Sequence, residues 1–277
     1  MRHPAGFIRQ VLLAFREHQG LLLAGAVAYY TLLSIVPMLA LLLILLSQFL
    51  DRALLLETLG TYLELAAPTR SGELLSDLAA FLDHWKVVGV AGLLFLLFFS
   101  SLAFSVLENA MASIFYHRAR VQRRHFLVSA VIPYVYIVLL AVGLLVVSLV
   151  ASWLTAQGDS LLVFGQRLNM SATTAVVLYL LGLLGEVLLL TSLYLVLPVG
   201  RLAWSHALVG GIAATLLWEL TRHALVWYLG TLSLVNVVYG SLATTIVILL
   251  SLEFAAIILL FGGQVIAEYE RLGQSDG

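Results

Sequence analysis

The sequence predicts an all-α, polytopic integral membrane protein. It reads as a single six-helix membrane domain over residues 1–277, with an N-terminal interfacial amphipathic helix and an external helical insert between the first two spans. Three observations lead there. The chain is 62% hydrophobic and only 10% charged, whereas soluble domains carry about 25% charged residues. Uncharged stretches of about 18 residues or more recur along its length, which is the length rule for a membrane-spanning helix rather than a buried core helix. Between those stretches, Lys and Arg gather at alternate ends.

Gly6 to His18 mixes Phe7, Ile8, Val11, Leu12, Leu13 and Phe15 with Arg9, Gln10 and Arg16, the pattern of a helix lying in the membrane surface. Gly20 to Leu50 then carries no formal charge. At about 1.5 Å per residue it exceeds the roughly 30 Å hydrocarbon layer, so the first span must tilt, kink at Pro37 or project. A cleaved signal peptide is the alternative, but the run is too long, holds an internal proline and lacks a small-residue cleavage site.

Asp51 to Lys86 interleaves Leu54, Leu55, Leu59 and Leu63 with acidic residues. It reads as two short amphipathic helices broken near Pro68 to Gly72. The second span is expected at Val87 to Met111, followed by the most basic stretch, which holds Arg118, Arg120, Arg123 and Arg124. The remaining spans fall at Phe126 to Ala156, Ala172 to Leu197, Trp204 to Leu229 and Ser241 to Ile266, with a polar tail from Glu268 to Gly277.

Arg2, Arg9, Arg16, Arg118, Arg120, Arg123, Arg124, Arg201 and Arg271 fall on one side of that arrangement, and only Arg52, Arg70, Lys86 and Arg167 on the other. The positive-inside rule then makes both termini cytoplasmic and the 51–86 insert external. Arg118, Arg120, Arg123 and Arg124 serve as topology determinants and candidate contacts to anionic lipid, worth about 1 kcal/mol each near the surface.

Ionisable side chains inside spans are the candidates for function, because each costs on the order of 2.5–3.5 kcal/mol near the bilayer centre and normally faces a partner. Glu186, Glu219, Arg222, His223 and Glu253 are the substrate-path or proton-coupling candidates. Glu219, Arg222 and His223 are spaced to share one helix face. They form either an ion pair that only fixes packing or the polar floor of a substrate path. Glu186 and Glu253 have no basic residue within a turn, so each needs a partner from another helix, water or a proton. Glu108 and Asn109 form a polar pair near the cytoplasmic end of the second span. Pro37, Gly210 and Gly211 are hinge candidates. Small residues, among them Gly182 and Gly185, Gly210 and Gly211, and Gly262 and Gly263, most often mark close helix contacts.

No cofactor or metal is expected, and the short basic stretch against the bilayer argues against a nucleic-acid partner. The expected partners are membrane lipids and an amphipathic or lipid substrate; the sequence leaves the oligomeric state open. An intramembrane hydrolase built on Ser241 and His223 is a remote alternative, because no G-x-S-x-G or H-E-x-x-H motif is present. A scaffold that organises envelope machinery without transporting anything is the other.

The stretch Ala26-Val27-Ala28-Tyr29-Tyr30-Thr31-Leu32-Leu33-Ser34-Ile35-Val36-Pro37 resembles the first-helix signature of the YihY/BrkB family of bacterial inner-membrane proteins. Leu107-Glu108-Asn109-Ala110 through the Arg cluster is similar to that family's second-helix end. Leu197-Pro198 through Glu219 to Tyr239-Gly240-Ser241-Leu242-Ala243 resembles its C-terminal half. The chain departs where the family tends to have Asn after the proline (Val199), Trp in the last helix (Ser251) and Gly-Ala-Glu near its end (Gly262-Gly263-Gln264). The resemblance implies a six-helix inner-membrane protein. Members have carried a ribonuclease label, which these residues do not support. Others are linked to serum resistance and to export of envelope lipids, so the resemblance points to a transporter or flippase of lipids or other amphipathic anions.

Overall fold

The computed structural model describes residues 4–66, 71–116, 126–156, 160–163, 166–197, 202–231 and 243–275. Eight helices account for nearly all of them: α1 (Pro4–Glu17), α2 (Gly20–Leu46), α3 (Arg52–Ala66), α4 (Ser71–Ile114), α5 (Phe126–Ala156), α6 (Met170–Val196), α7 (Trp204–Thr231) and α8 (Ala243–Ser275). A short antiparallel hairpin, Ser160–Val163 against Gln166–Asn169, occupies part of the expected loop after α5.

Five described segments are long and apolar enough to cross a membrane: Gly20–Leu46, Gly89–Ile114, Val131–Val150, Ala175–Val196 and Ile246–Leu272. α7 is 28 residues long, and its mean hydropathy is lowered by Glu219, Arg222 and His223. It nevertheless packs against both α6 and α8. It therefore takes the place of the fifth of the six expected spans. Leu, Val and Phe remain exposed along these helices, for example Val135, Val138, Leu145 and Leu149 on α5. Such surface suits hydrocarbon as the surrounding solvent.

The chain divides into two compact units. Residues 30–104 form one. Within it Leu43, Leu55 and Leu82 bury together, with Leu46, Leu56, Leu59 and Leu78 packed around them. Asp51 starts α3 by accepting a hydrogen bond from the Ala53 amide at 3.2 Å, the capping role that leaves one fewer orphan donor. Ser34, buried on α2, accepts a hydrogen bond from the Ala103 amide of α4 at 3.1 Å. The expected two helices of the insert are α3 and the first part of α4, and their break falls partly on residues outside the described set. The boundary between insert and span is Gly89, whose φ of 64° and ψ of −172° interrupt α4. Only glycine adopts that backbone freely.

The other unit comprises residues 1–29 and 105–277. α1 is the expected N-terminal amphipathic helix, and one of its faces also packs on the bundle. Val11, Ala14 and Phe15 are buried, α1 packs on α8, and the Phe15 and Phe261 rings meet edge-on at 5.5 Å. Ile8, Leu12 and Leu13 stay exposed on its outer face. α8 also runs past the expected end near Ile266 to Ser275. At about 1.5 Å per residue it is longer than the hydrocarbon layer is thick, so one end projects. The residues read as a polar tail are held helical by packing, with Ile266, Ala267, Glu268 and Glu270 all buried.

Close approaches hold α6, α7 and α8 together. A Cβ on Gly210 would overlap Ile266 and meet the Gly262 carbonyl oxygen at 3.0 Å, and one on Gly211 would overlap Thr191 and meet the Val187 carbonyl oxygen at the same distance. Gly210 and Gly211 thus stand where α7 touches α8 and α6. Tyr194, fully buried on α6, donates a hydrogen bond to the Leu259 carbonyl of α8 at 2.8 Å. Pro37 lies within α2, which continues past it to Leu46.

Candidate functional site

Glu186 sits at the centre of the span Ala175–Val196. At about 1.5 Å per residue it is roughly 15 Å from either end, close to mid-membrane. It is half-buried and lines a cavity of about 890 Å³ between α5, α6 and α8, with Trp218 of α7 also on its wall. Pockets that hold small ligands run from about 300 to 1,000 Å³. The lining is almost wholly apolar, Leu139, Val147, Leu189, Ile258 and Leu259 among it, with Ser192 as a second polar residue.

Glycine keeps this groove open. Gly143, Gly182 and Gly185 line it, and a Cβ added to any of the three would meet nothing within 4 Å. Gly182 and Gly185 are therefore groove residues, not the close helix contact their sequence suggested. The four glycines at 210, 211, 262 and 263 do make such contacts.

Beside the groove, α7 presents the charged face read from the sequence. The Arg222 guanidinium donates from Nη2 to Glu219 Oε2 at 2.8 Å. Tyr179 of α6 donates to the same oxygen at 2.9 Å. His223 donates from Nδ1 to the Glu219 carbonyl oxygen at 2.7 Å, and that nitrogen lies 3.8 Å from Glu219 Oε2. The Glu219 side chain is largely covered, while those of Arg222 and His223 are 49% and 70% exposed. Glu186 is within electrostatic reach of both Glu219 and Arg222. Among the described residues it has no hydrogen-bond partner. Four of the five expected site residues therefore converge, three on α7 and one on α6.

Glu253 does not join them. Its carboxylate on α8 points toward α2, with Oε1 4.0 Å from where a Cβ on Gly25 would stand, and it is absent from the groove wall. Glu108 is half-buried and Asn109 exposed on α4, one to two turns before its end. Arg118, Arg120, Arg123 and Arg124, and Ser241 of the hydrolase alternative, lie outside the described residues. Among those described, no group of three or more His, Asp or Glu could hold a metal.

A second polar cluster escaped sequence reasoning. His18 donates from Nδ1 to Gln264 Oε1 at 2.9 Å. Gln264, fully buried, donates to Glu268 Oε1 at 3.2 Å, and Arg271 donates to that oxygen at 2.9 Å. Arg271 also lies over the Tyr116 ring, 6.0 Å from its centroid, and His18 meets Tyr116 edge-on at 5.5 Å. His206 of α7 donates to buried Glu270 at 3.2 Å. Helical spacing on α8 could have paired Gln264, Glu268 and Arg271, but the partners on other helices are far away in sequence.

These features come with a family. The family described as Virulence factor BrkB matches residues 11–276. The chain belongs to the BrkB family. Similar proteins include three named UPF0761 membrane protein. That of Nitrosospira multiformis is 26% identical over 95% of this chain and 61% of its own length. The Alkalilimnicola ehrlichii protein is 27% identical over 97% of this chain and 60% of its own. The Actinobacillus pleuropneumoniae protein is 24% identical over 94% of this chain and 91% of its own. The chain thus spans about 60% of the length of the first two. Their names describe membrane proteins and assign no activity. No solved structure matches.

Proposed function

We propose that this BrkB-family protein moves lipids or other amphipathic anions across the bacterial inner membrane, with both termini in the cytoplasm. One observation carries the reading: an apolar groove beside α5, α6 and α8 that places a carboxylate, Glu186, halfway through a span. A hydrocarbon tail gains little by leaving lipid for such a groove, but a polar head needs a polar station at mid-depth, where an isolated charge is costly. Glu186 supplies one, with Glu219, Arg222 and Tyr179 to one side of it. The Arg222 fork carries five N–H donors, so its bond to Glu219 leaves donors for an anionic group, with exposed His223 beside it. Transporters characteristically hold substrate near the bilayer midplane between helices of the bundle.

The test is movement of a fluorescent phospholipid in liposomes reconstituted with the full chain, with and without a proton gradient. Wild type is expected to accelerate exchange between leaflets, and Arg222→Ala to slow it at least severalfold. Equal rates in wild-type, Arg222→Ala and protein-free liposomes would remove the proposal. A rate that follows the proton gradient in wild type and loses that dependence in Glu186→Gln would assign Glu186 to proton coupling.

A further inference from the structure

We infer that the groove is the seat of a phospholipid bearing a primary ammonium group, with the ammonium on Glu186, the phosphate on the free donors of Arg222 and an acyl chain along the groove. The inference rests on the proposed function only in taking the groove as the substrate's place. It goes further by naming the headgroup.

Charge balance decides the head. Among the described residues Glu186 and Glu219 stand against one guanidinium, with the His223 ring beside Glu219, and Arg222 already spends one nitrogen on Glu219 at 2.8 Å. An anion alone would meet the partly neutralised Arg222 while facing two carboxylates. A head that brings its own positive charge removes that conflict, because its ammonium supplies the hydrogen-bonding partner that Glu186 lacks among the described residues. A carboxylate accepts and an ammonium donates up to three bonds without donor–donor conflict. The phosphate of the same head then reaches a fork suited to it. A quaternary ammonium has no N–H to give, so Glu186 selects a primary amine over a trimethylated one.

The groove's length decides the tail. On α6 it runs from Leu181 to Leu193 with Glu186 inside it, so the arm from Glu186 to Leu193 is about 10 Å at 1.5 Å per residue. That is about a third of a roughly 30 Å hydrocarbon layer, room for part of one acyl chain, the rest staying in the surrounding lipid. Gly182 and Gly185 open onto it with no atom within 4 Å of an added Cβ. A side chain there would occupy the chain's path without disturbing helix packing.

The experiment is native mass spectrometry of the purified full chain, equilibrated with equal amounts of phosphatidylethanolamine, phosphatidylcholine and phosphatidylglycerol of one acyl composition. Wild type is expected to retain phosphatidylethanolamine at least fivefold over the other two. Glu186→Gln brings the three to parity, and Gly185→Leu lowers all three. Soluble phosphoethanolamine fails to displace the lipid. A wild type without preference, a preference for phosphatidylglycerol or phosphatidylcholine, or a preference that survives Glu186→Gln overturns the inference. Displacement by soluble phosphoethanolamine at lipid-like concentration overturns the lipid assignment. Unfolding temperatures of the variants separate a lost site from a lost fold, and Gly185→Leu provides a second reading where Glu186→Gln does not fold. Liposome assays on the same preparations keep the two readings apart. Binding without movement removes transport and leaves the site; movement without headgroup discrimination does the reverse.

Discussion

Glu268 receives two hydrogen bonds on one oxygen, from Gln264 and Arg271, while Gln264 also takes one from His18. Removing the carboxylate leaves the buried Gln264 amide without its acceptor, at a cost of about 1–3 kcal/mol, while the part-exposed Arg271 guanidinium can turn to water. Glu268→Ala is therefore expected to lower stability by about 1–3 kcal/mol in detergent thermal unfolding, and an unchanged transition would mean that water replaces the carboxylate. Tyr194 offers a contrast. Tyr194→Phe deletes only the bond to Leu259, for which membrane proteins lose about 0.6–1.7 kcal/mol. Gly262→Ala forces a methyl against the Tyr194 hydroxyl, with its Cζ at 2.9 Å and the Ala214 Cβ at 3.1 Å. It should be the worse of the two, by overpacking costs of about 1–3 kcal/mol. These residues also mark what sequence could carry. Glu219, Arg222 and His223 were legible together because local spacing fixes their shared face. Gly182 and Gly262 look alike in sequence, but one faces open space and the other a tyrosine, a difference made by neighbours on other helices.

α1 and α8 show how an element's role depends on its partner. Alone, α1 has the composition of a surface helix; beside α8 it buries Val11, Ala14 and Phe15 and carries the chain into the His18 contact with Gln264. Phe15→Ala removes a buried ring, and His18→Ala removes the polar tie at the helix end. The double variant is expected to raise deuterium uptake across α1 by severalfold in hydrogen exchange, with α6 and α7 unchanged. Uniform uptake across all three helices would mean that α1 has no separate stability. Helix existence and approximate span were readable because long uncharged runs permit little else in a bilayer. Ends were not. The start of the second span depends on one backbone conformation at Gly89, and the end of α8 depends on whether Glu268, Glu270 and Arg271 find partners. They do, so the helix continues into what composition marks as a tail.

At the scale of the whole chain, composition points to the solvent and arginine placement predicts the orientation, since positive residues in short loops resist translocation. The ends that hold Arg9, Arg16 and Arg271 are predicted to be cytoplasmic and the acidic 51–86 insert external. Absence of cysteine makes this directly measurable, because every introduced thiol is the only one. Asp77 is exposed on the insert part of α4 and Glu17 is exposed at the end of α1, so neither substitution disturbs packing. In intact spheroplasts a membrane-impermeant maleimide should label Asp77→Cys and spare Glu17→Cys, and permeabilisation should expose both. The same orientation fixes the depth of the candidate site. With the predicted orientation α7 would start at the cytoplasmic face near Trp204, and Glu219, to which the Arg222 guanidinium reaches back, would lie about 22 Å along it at 1.5 Å per residue, on the external side of Glu186. A headgroup on Glu186 would then extend toward the external side to reach Arg222. Reversed labelling would place Arg222 on the cytoplasmic side of Glu186 while leaving the groove unchanged.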